Sequence, residues 1–200
     1  MHPKEKYQEL KLNNFPMFLR GDIVLTNNLS SIVASLIRFR AKLKGKEPYC
    51  NHEEMYLKNG KCIGANKRID IEDLDRFFKG KHEVYIFRDL LLSEEERNNL
   101  VMEAVGWYGK LYDYLGIVWQ ALDAITFSTL FSKMFNKGLF CYCSEFIQRV
   151  YDNAVQRNPS LSDVGCGTPN DSFLYKCFSP DFKCMFMMKK NDIDEWIYLV

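Results

Sequence analysis

The sequence predicts an α+β domain, and three observations carry that expectation. Short runs alternating apolar with polar residues, bounded by turn signals, fill the first half of the chain. Stripes of apolar residues at helical spacing flank them. The chain is 47% hydrophobic and 14% aromatic over 200 residues, enough to bury a core, so one domain spanning 1–200 is expected rather than a disordered segment.

Taken in order, the first dozen residues are polar and peripheral. "RGDIVLTNN" (Arg20–Asn28) reads as a turn, a short apolar strand and a polar exit. "SSIVASLIRFRAKLKGK" places Ile32, Leu36 and Phe39 on one helical side, with Ser30 or Ser31 as cap and basic residues at the C-terminal end, where the helix dipole favours them. "NHEEMYLKNGKCIGAN" is a hairpin: His52, Glu54 and Tyr56 alternate with Glu53, Met55 and Leu57, and Asn59-Gly60 supplies the turn. "DIEDLDRFF" (Asp70–Phe78) reads as a short helix with acidic residues first. "HEVYIFR" (His82–Arg88) is a further strand. Ser93 caps a helix that ends near Gly106 or Gly109. A helix from Cys143 to about Ala154 shows a buried stripe of Phe146, Ile147, Val150 and Tyr151. "NPSLSDVGCGTPNDSFLYKCFSPDF" is rich in loop residues, and "KCMFMMKK" reads as an edge strand.

Charge narrows the function classes. With 27 basic and 26 acidic residues the net charge is +1, which gives no electrostatic footprint for nucleic acid. The seven cysteines are an odd number, and "MHPKEKYQELKLNNFP" has no apolar leader core. Free thiols in a reducing, cytoplasmic setting are the expectation. Only Cys141 and Cys143 lie close together, and the histidines His2, His52 and His82 form no paired-ligand spacing. No metal and no organic cofactor is therefore expected, although a zinc module of Cys141, Cys143 and a distant cysteine is a third reading. The most apolar stretch, Leu115–Phe135, is broken by Asp123 and Lys133 and is not a membrane span.

Cys143 is the candidate nucleophile. A thiol at a helix N-terminus is favoured as thiolate by the amide groups and the dipole, and its own N–H can donate to an oxyanion. A histidine must then serve as base and later as acid. His52, aimed from a hairpin strand, is the natural partner; His82 reads as solvent-facing and His2 lies in the tail. The competing reading makes Cys143 a small buried hydrophobe. Glu145 follows in the first turn and is given no catalytic role. Asp22, Tyr112 and Tyr142 are candidates to line the pocket, and Tyr112 reads equally well as a core aromatic.

Several pieces in one order then resemble the circularly permuted NlpC-type papain-like cysteine peptidases, the YiiX/YebB-like branch above all, with lecithin:retinol acyltransferase-like proteins more distant. They are Gly21-Asp22-Ile23-Val24, Asn51-His52, "GKLYD" (Gly109–Asp113), Tyr142-Cys143-Ser144-Glu145-Phe146, and Thr168-Pro169-Asn170-Asp171 followed by "SPDF". The resemblance spans Gly21 to Phe182 and implies a papain-like fold of permuted topology. An antiparallel sheet would carry the histidine and a packed helix the cysteine. It implies a thiol peptidase or amidase, or a lipid acyl hydrolase or acyltransferase, working through an acyl-enzyme. The substrate would be a peptide, a peptidoglycan-like chain or a lipid-linked group.

The family commonly places an orienting Glu in a Glu-Ala pair on the strand after the histidine; here that pair reads Gly64-Ala65. Glu54, Asn66 or a water are the candidates to replace it. An apolar helical insertion at about 115–138 precedes the cysteine. It reads as core packing, or as a greasy substrate groove or a peripheral membrane-surface contact beside the thiol. The alternative to catalysis is an inactive relative that binds a peptide or lipid in the same groove, or a structural component of a larger assembly.

Overall fold

The computed structural model describes residues 17–28, 49–79, 82–111, 142–160, 168–190 and 196–199, with isolated positions at 5, 35, 38, 42, 47 and 126. Among the described residues, seven strands form one antiparallel sheet. In chain order they are β1 (Ile23–Asn28), β2 (His52–Lys58), β3 (Lys61–Ala65), β4 (Ile69–Asp73), β5 (His82–Asp89), β6 (Phe182–Lys190) and β7 (Trp196–Leu199). Across the sheet the order is β4-β3-β2-β1-β5-β6-β7. The described helices are α1 (Asp75–Lys79), α2 (Glu94–Gly106), α3 (Cys143–Val155) and α4 (Pro169–Phe178).

Period-two alternation sends successive side chains to opposite faces, and both faces are covered. Ile23, Leu25, Met55, Ile63, Tyr85 and Phe87 meet Leu100 and Ala104 of α2, Phe146 and Ile147 of α3, and Phe173 of α4. Val24, Tyr56, Cys62, Val84 and Ile86 turn the other way onto Phe77 and Phe78 of α1. The hairpin turn is as expected: Asn59 and Gly60 both take positive φ, 52° and 73°, as a tight two-residue loop requires.

Three expectations need correction. Asp70–Phe78 is not one helix. Ile69 is buried and residues 69–73 pair with β3, so the segment is first a strand, and the helix starts only at Asp75. The loop-rich stretch after residue 157 contains α4. Thr168 caps it and accepts from the Asp171 N–H, Asp171 answers back to the Thr168 N–H, and Pro169 opens the first turn. That is the capping-box pattern, hidden among turn residues. β6 is no edge strand, because it lies between β5 and β7. The expected helix after Ser31 and the apolar stretch 115–138 fall outside the described residues, apart from isolated positions.

Asp22, just before β1, is fully buried. It accepts from both Arg88 Nε at 3.0 Å and Arg88 Nη2 at 2.7 Å, and from the Leu19 N–H at 2.9 Å, with Arg97 Nη1 at 3.5 Å. Removing one member leaves guanidinium charge uncompensated in the core. Asp22→Ala is expected to cost about 3 kcal/mol or more of unfolding free energy, read from urea denaturation.

Candidate active site

α3 and β2 meet at their first residues. Cys143 opens the helix and His52 opens the strand. Cys143 is 1% exposed, and its thiol is near enough to the His52 ring to raise the imidazole's pKa. The helix end differs from its neighbours. α2 and α4 both close their first turns with a capping box, whereas Tyr142, the residue before Cys143, makes no side-chain cap. The first turn of α3 is thus not sealed by a capping side chain, and its positive end faces the sulfur. Glu145 in that turn is engaged by Arg149, one turn on, at 2.7 Å from Nη2 and 2.9 Å from Nε. Its charge is therefore compensated locally and does not stand alone beside the thiol.

The other side of the imidazole is held by Glu54. His52 Nε2 lies 2.7 Å from Glu54 Oε1. Two residues apart on one strand, the side chains share a face. Glu54 is fully buried, and the same oxygen also accepts from Asn66 Nδ2 at 3.4 Å and from Arg76 Nη2. Burial pushes the Glu54 carboxyl up, but the His52 hydrogen bond and the charges of His52 and Arg76 outweigh it and hold the carboxyl below the usual range. Burial likewise opposes the charged imidazole. The hydrogen bonds with Cys143 and Glu54 and their negative charges win, raising the His52 pKa to about 10.

Gly64 explains why Glu54 sits there. The two are directly opposite across β2 and β3. A Cβ on Gly64 would lie 2.4 Å from Glu54 Cγ and 2.8 Å from Cδ, closer than real carbon atoms approach. Gly64 is ordinary strand backbone, so its missing side chain serves space and not an unusual φ. The Gly-Ala pair that reads as a lost carboxylate along the chain is, across the strands, the room that a carboxylate from β2 fills.

Of the sequence candidates, Cys143, His52, Glu54 and Asn66 are brought together, with Tyr142 buried beside the cysteine. Asp22 is not. It lies four residues from Thr26, the register partner of His52, roughly 13 Å along the strand, and is bound into the arginine knot. Tyr112 and Cys141 lie outside the described residues. His82 is half-buried, edge-on to Phe77 at 5.6 Å, rather than facing solvent. Arg76 gave no sequence signal; only the strand-to-helix contact reveals it.

No family model matches the chain, and no curated protein matches it. Among solved structures, the chain is similar to one described as the metalloprotein YiiX from Escherichia coli O157:H7, DUF1105. The TM-score is 0.57 at 18% identity, covering 82% of this chain and 94% of that one. The fold is YiiX-like. At that identity the likeness speaks for the fold alone. Among the described residues, no three His, Cys, Asp or Glu side chains converge to hold a metal ion, and no helix is long and apolar enough to cross a membrane.

The raised His52 pKa has a consequence for stability. A group whose folded pKa lies above its unfolded value of 6.5 stabilises the fold fully below that value, and the contribution fades as pH rises toward about 10. The thermal midpoint of the native protein is expected to fall more steeply between those pH values than that of His52→Ala. Parallel slopes in calorimetry would contradict it.

Proposed function

We propose that the chain is a cysteine hydrolase in which Cys143 is the nucleophile, His52 the acid and base, and Glu54 the orienting carboxylate. A single observation carries the reading: the thiol at the helix N-terminus adjoins an imidazole whose far nitrogen is held by a buried glutamate at 2.7 Å. With Nε2 committed to Glu54, Nδ1 is the nitrogen left to exchange a proton with sulfur. The thiolate attacks a carbonyl carbon, and the Cys143 N–H donates to the developing oxyanion. His52 then protonates the leaving nitrogen or oxygen, which departs and leaves a thioester on Cys143. Water, giving its proton to the now neutral His52, breaks the thioester and restores the pair; another acceptor in place of water makes the reaction a transfer.

An amide or ester in a peptide, a peptidoglycan-like chain or a lipid-linked group is the substrate class that the papain-like resemblance implies. The word metalloprotein belongs to the structural neighbour. Among the described residues no cluster of three His, Cys, Asp or Glu side chains fits a resident metal ion. The test is alkylation of Cys143 as a function of pH in the native protein and in His52→Ala.

A further inference from the structure

Arg76 stands on α1, against the sheet face that carries His52 and Glu54. Its guanidinium works as a fork. Nη2 donates to Glu54 Oε1, while Nη1 pairs with Glu72 on β4. The guanidinium carbon lies 4.6 Å from the Phe77 ring centre, so an aromatic face limits its swing. Asn66 bridges the same two carboxylates, 3.4 Å from Glu54 and 3.3 Å from Glu72. Glu54 Oε1 thus collects His52, Asn66 and Arg76, while buried Oε2 has no partner among the described residues. All the hydrogen bonding is directed to one oxygen, which fixes the carboxylate's rotation.

We infer that Arg76 is a positioning residue for the thiol–imidazole pair, acting through Glu54, which it aims at His52 and keeps charged while the imidazole gives up its proton. The inference rests on the cysteine-hydrolase reading. In that cycle His52 alternates between charged and neutral. Each time it is neutral, the fully buried Glu54 loses one of its two positive partners, and Arg76 is the one that remains. A buried carboxylate left alone takes up a proton. It would then stop accepting from Nε2, and the ring would lose both its orientation and its tautomer.

Arg76 supplies a guanidinium, the side-chain cation of choice for carboxylates, in a planar fork suited to their oxygens. The remaining groups facing this cluster cannot do so. Glu72 from β4 is itself acidic, burial keeps Cys62 from β3 protonated, and His82 from β5 is held toward its neutral form by burial and by the charges of His52 and Arg76. Cys143 from α3 supplies no cation either.

The experiment follows iodoacetamide labelling of Cys143 by mass spectrometry from about pH 4 to 9, in native protein, Arg76→Met, Arg76→Lys, Glu54→Gln and the Glu54→Gln/Arg76→Met pair. Losing Arg76 removes a cause that lowers the Glu54 pKa, so Glu54 protonates earlier as pH falls. The acid limb of labelling is expected to move up by about 1 pH unit or more in Arg76→Met. Arg76→Lys should recover part of that shift. In the Glu54→Gln background Arg76→Met should add nothing, an outcome that loss of packing alone would not give. Arg76→Gln, which keeps a donor, reads the same limb if Arg76→Met does not fold. An unmoved limb, with His52→Ala still slowing the label, overturns the role of Arg76 and leaves the thiol–imidazole pair standing. Labelling indifferent to His52→Ala as well overturns both.

Discussion

Iodoacetamide at limiting concentration is expected to label Cys143 ahead of every other described thiol between about pH 5 and 8, and His52→Ala should slow that labelling by about a hundredfold. The other thiols set the contrast. Burial pushes Cys50 and Cys62 well above the ordinary thiol range, the charges of Glu53 and Glu54 adding to the effect. Cys177 and Cys184 are exposed, but partial burial in the recess they share with Tyr85, Phe87 and Phe173 pushes Cys184 up and Cys177 to about 11. Each of the four is therefore a protonated, slow nucleophile near neutral pH. Cys143 alone among them has an imidazolium beside it and a helix N-terminus behind it. If Cys177 or Cys184 were labelled first, or if His52→Ala made no difference, exposure rather than activation would govern reactivity, and the nucleophile assignment would fail.

Much of the scaffold for this pair is legible in the sequence, because its signals are local. The alternation in "HEEMYL" places His52 and Glu54 on one face, Asn-Gly turns the hairpin, and an apolar stripe three and four residues apart marks α3. The errors arise where local and non-local preferences compete. The acidic run in 70–75 looks like a helix start, but Ile69 and Ile71 have a strand to pair with, and sheet burial overrides propensity. The cap of α4 is present in sequence as Thr-Pro-Asn-Asp, yet Gly, Ser and Pro around it dominate a reading by composition. Arg76 is beyond such reading altogether. Nothing in "DRFFK" distinguishes a surface arginine from one whose fork reaches a carboxylate twenty-two residues earlier in the chain.

The same limit applies to the orienting carboxylate, and it can be tested by moving it. Glu54 and Gly64 are opposite partners on adjacent strands, and one side chain occupies the space of both. Glu54→Gly is expected to lower Cys143 alkylation near neutral pH about tenfold or more, because the imidazolium loses its charge partner and its fixed orientation. Gly64→Glu alone adds a second carboxylate where no atom fits, with like charges face to face. It should destabilise the fold by about 1–3 kcal/mol without restoring anything. The double exchange, Glu54→Gly with Gly64→Glu, returns one carboxylate and one vacancy, now with the acid on β3. His52 then sits diagonal to residue 64, a separation that a glutamate spans. The double variant should therefore label faster than Glu54→Gly and melt higher than Gly64→Glu, although each of its changes is harmful alone. Such compensation is a coupling that neither loss of packing nor loss of charge produces separately. If the double variant labels no faster than Glu54→Gly, the site requires a carboxylate from β2 in particular, and the vacancy at Gly64 is a packing feature with no bearing on the imidazole.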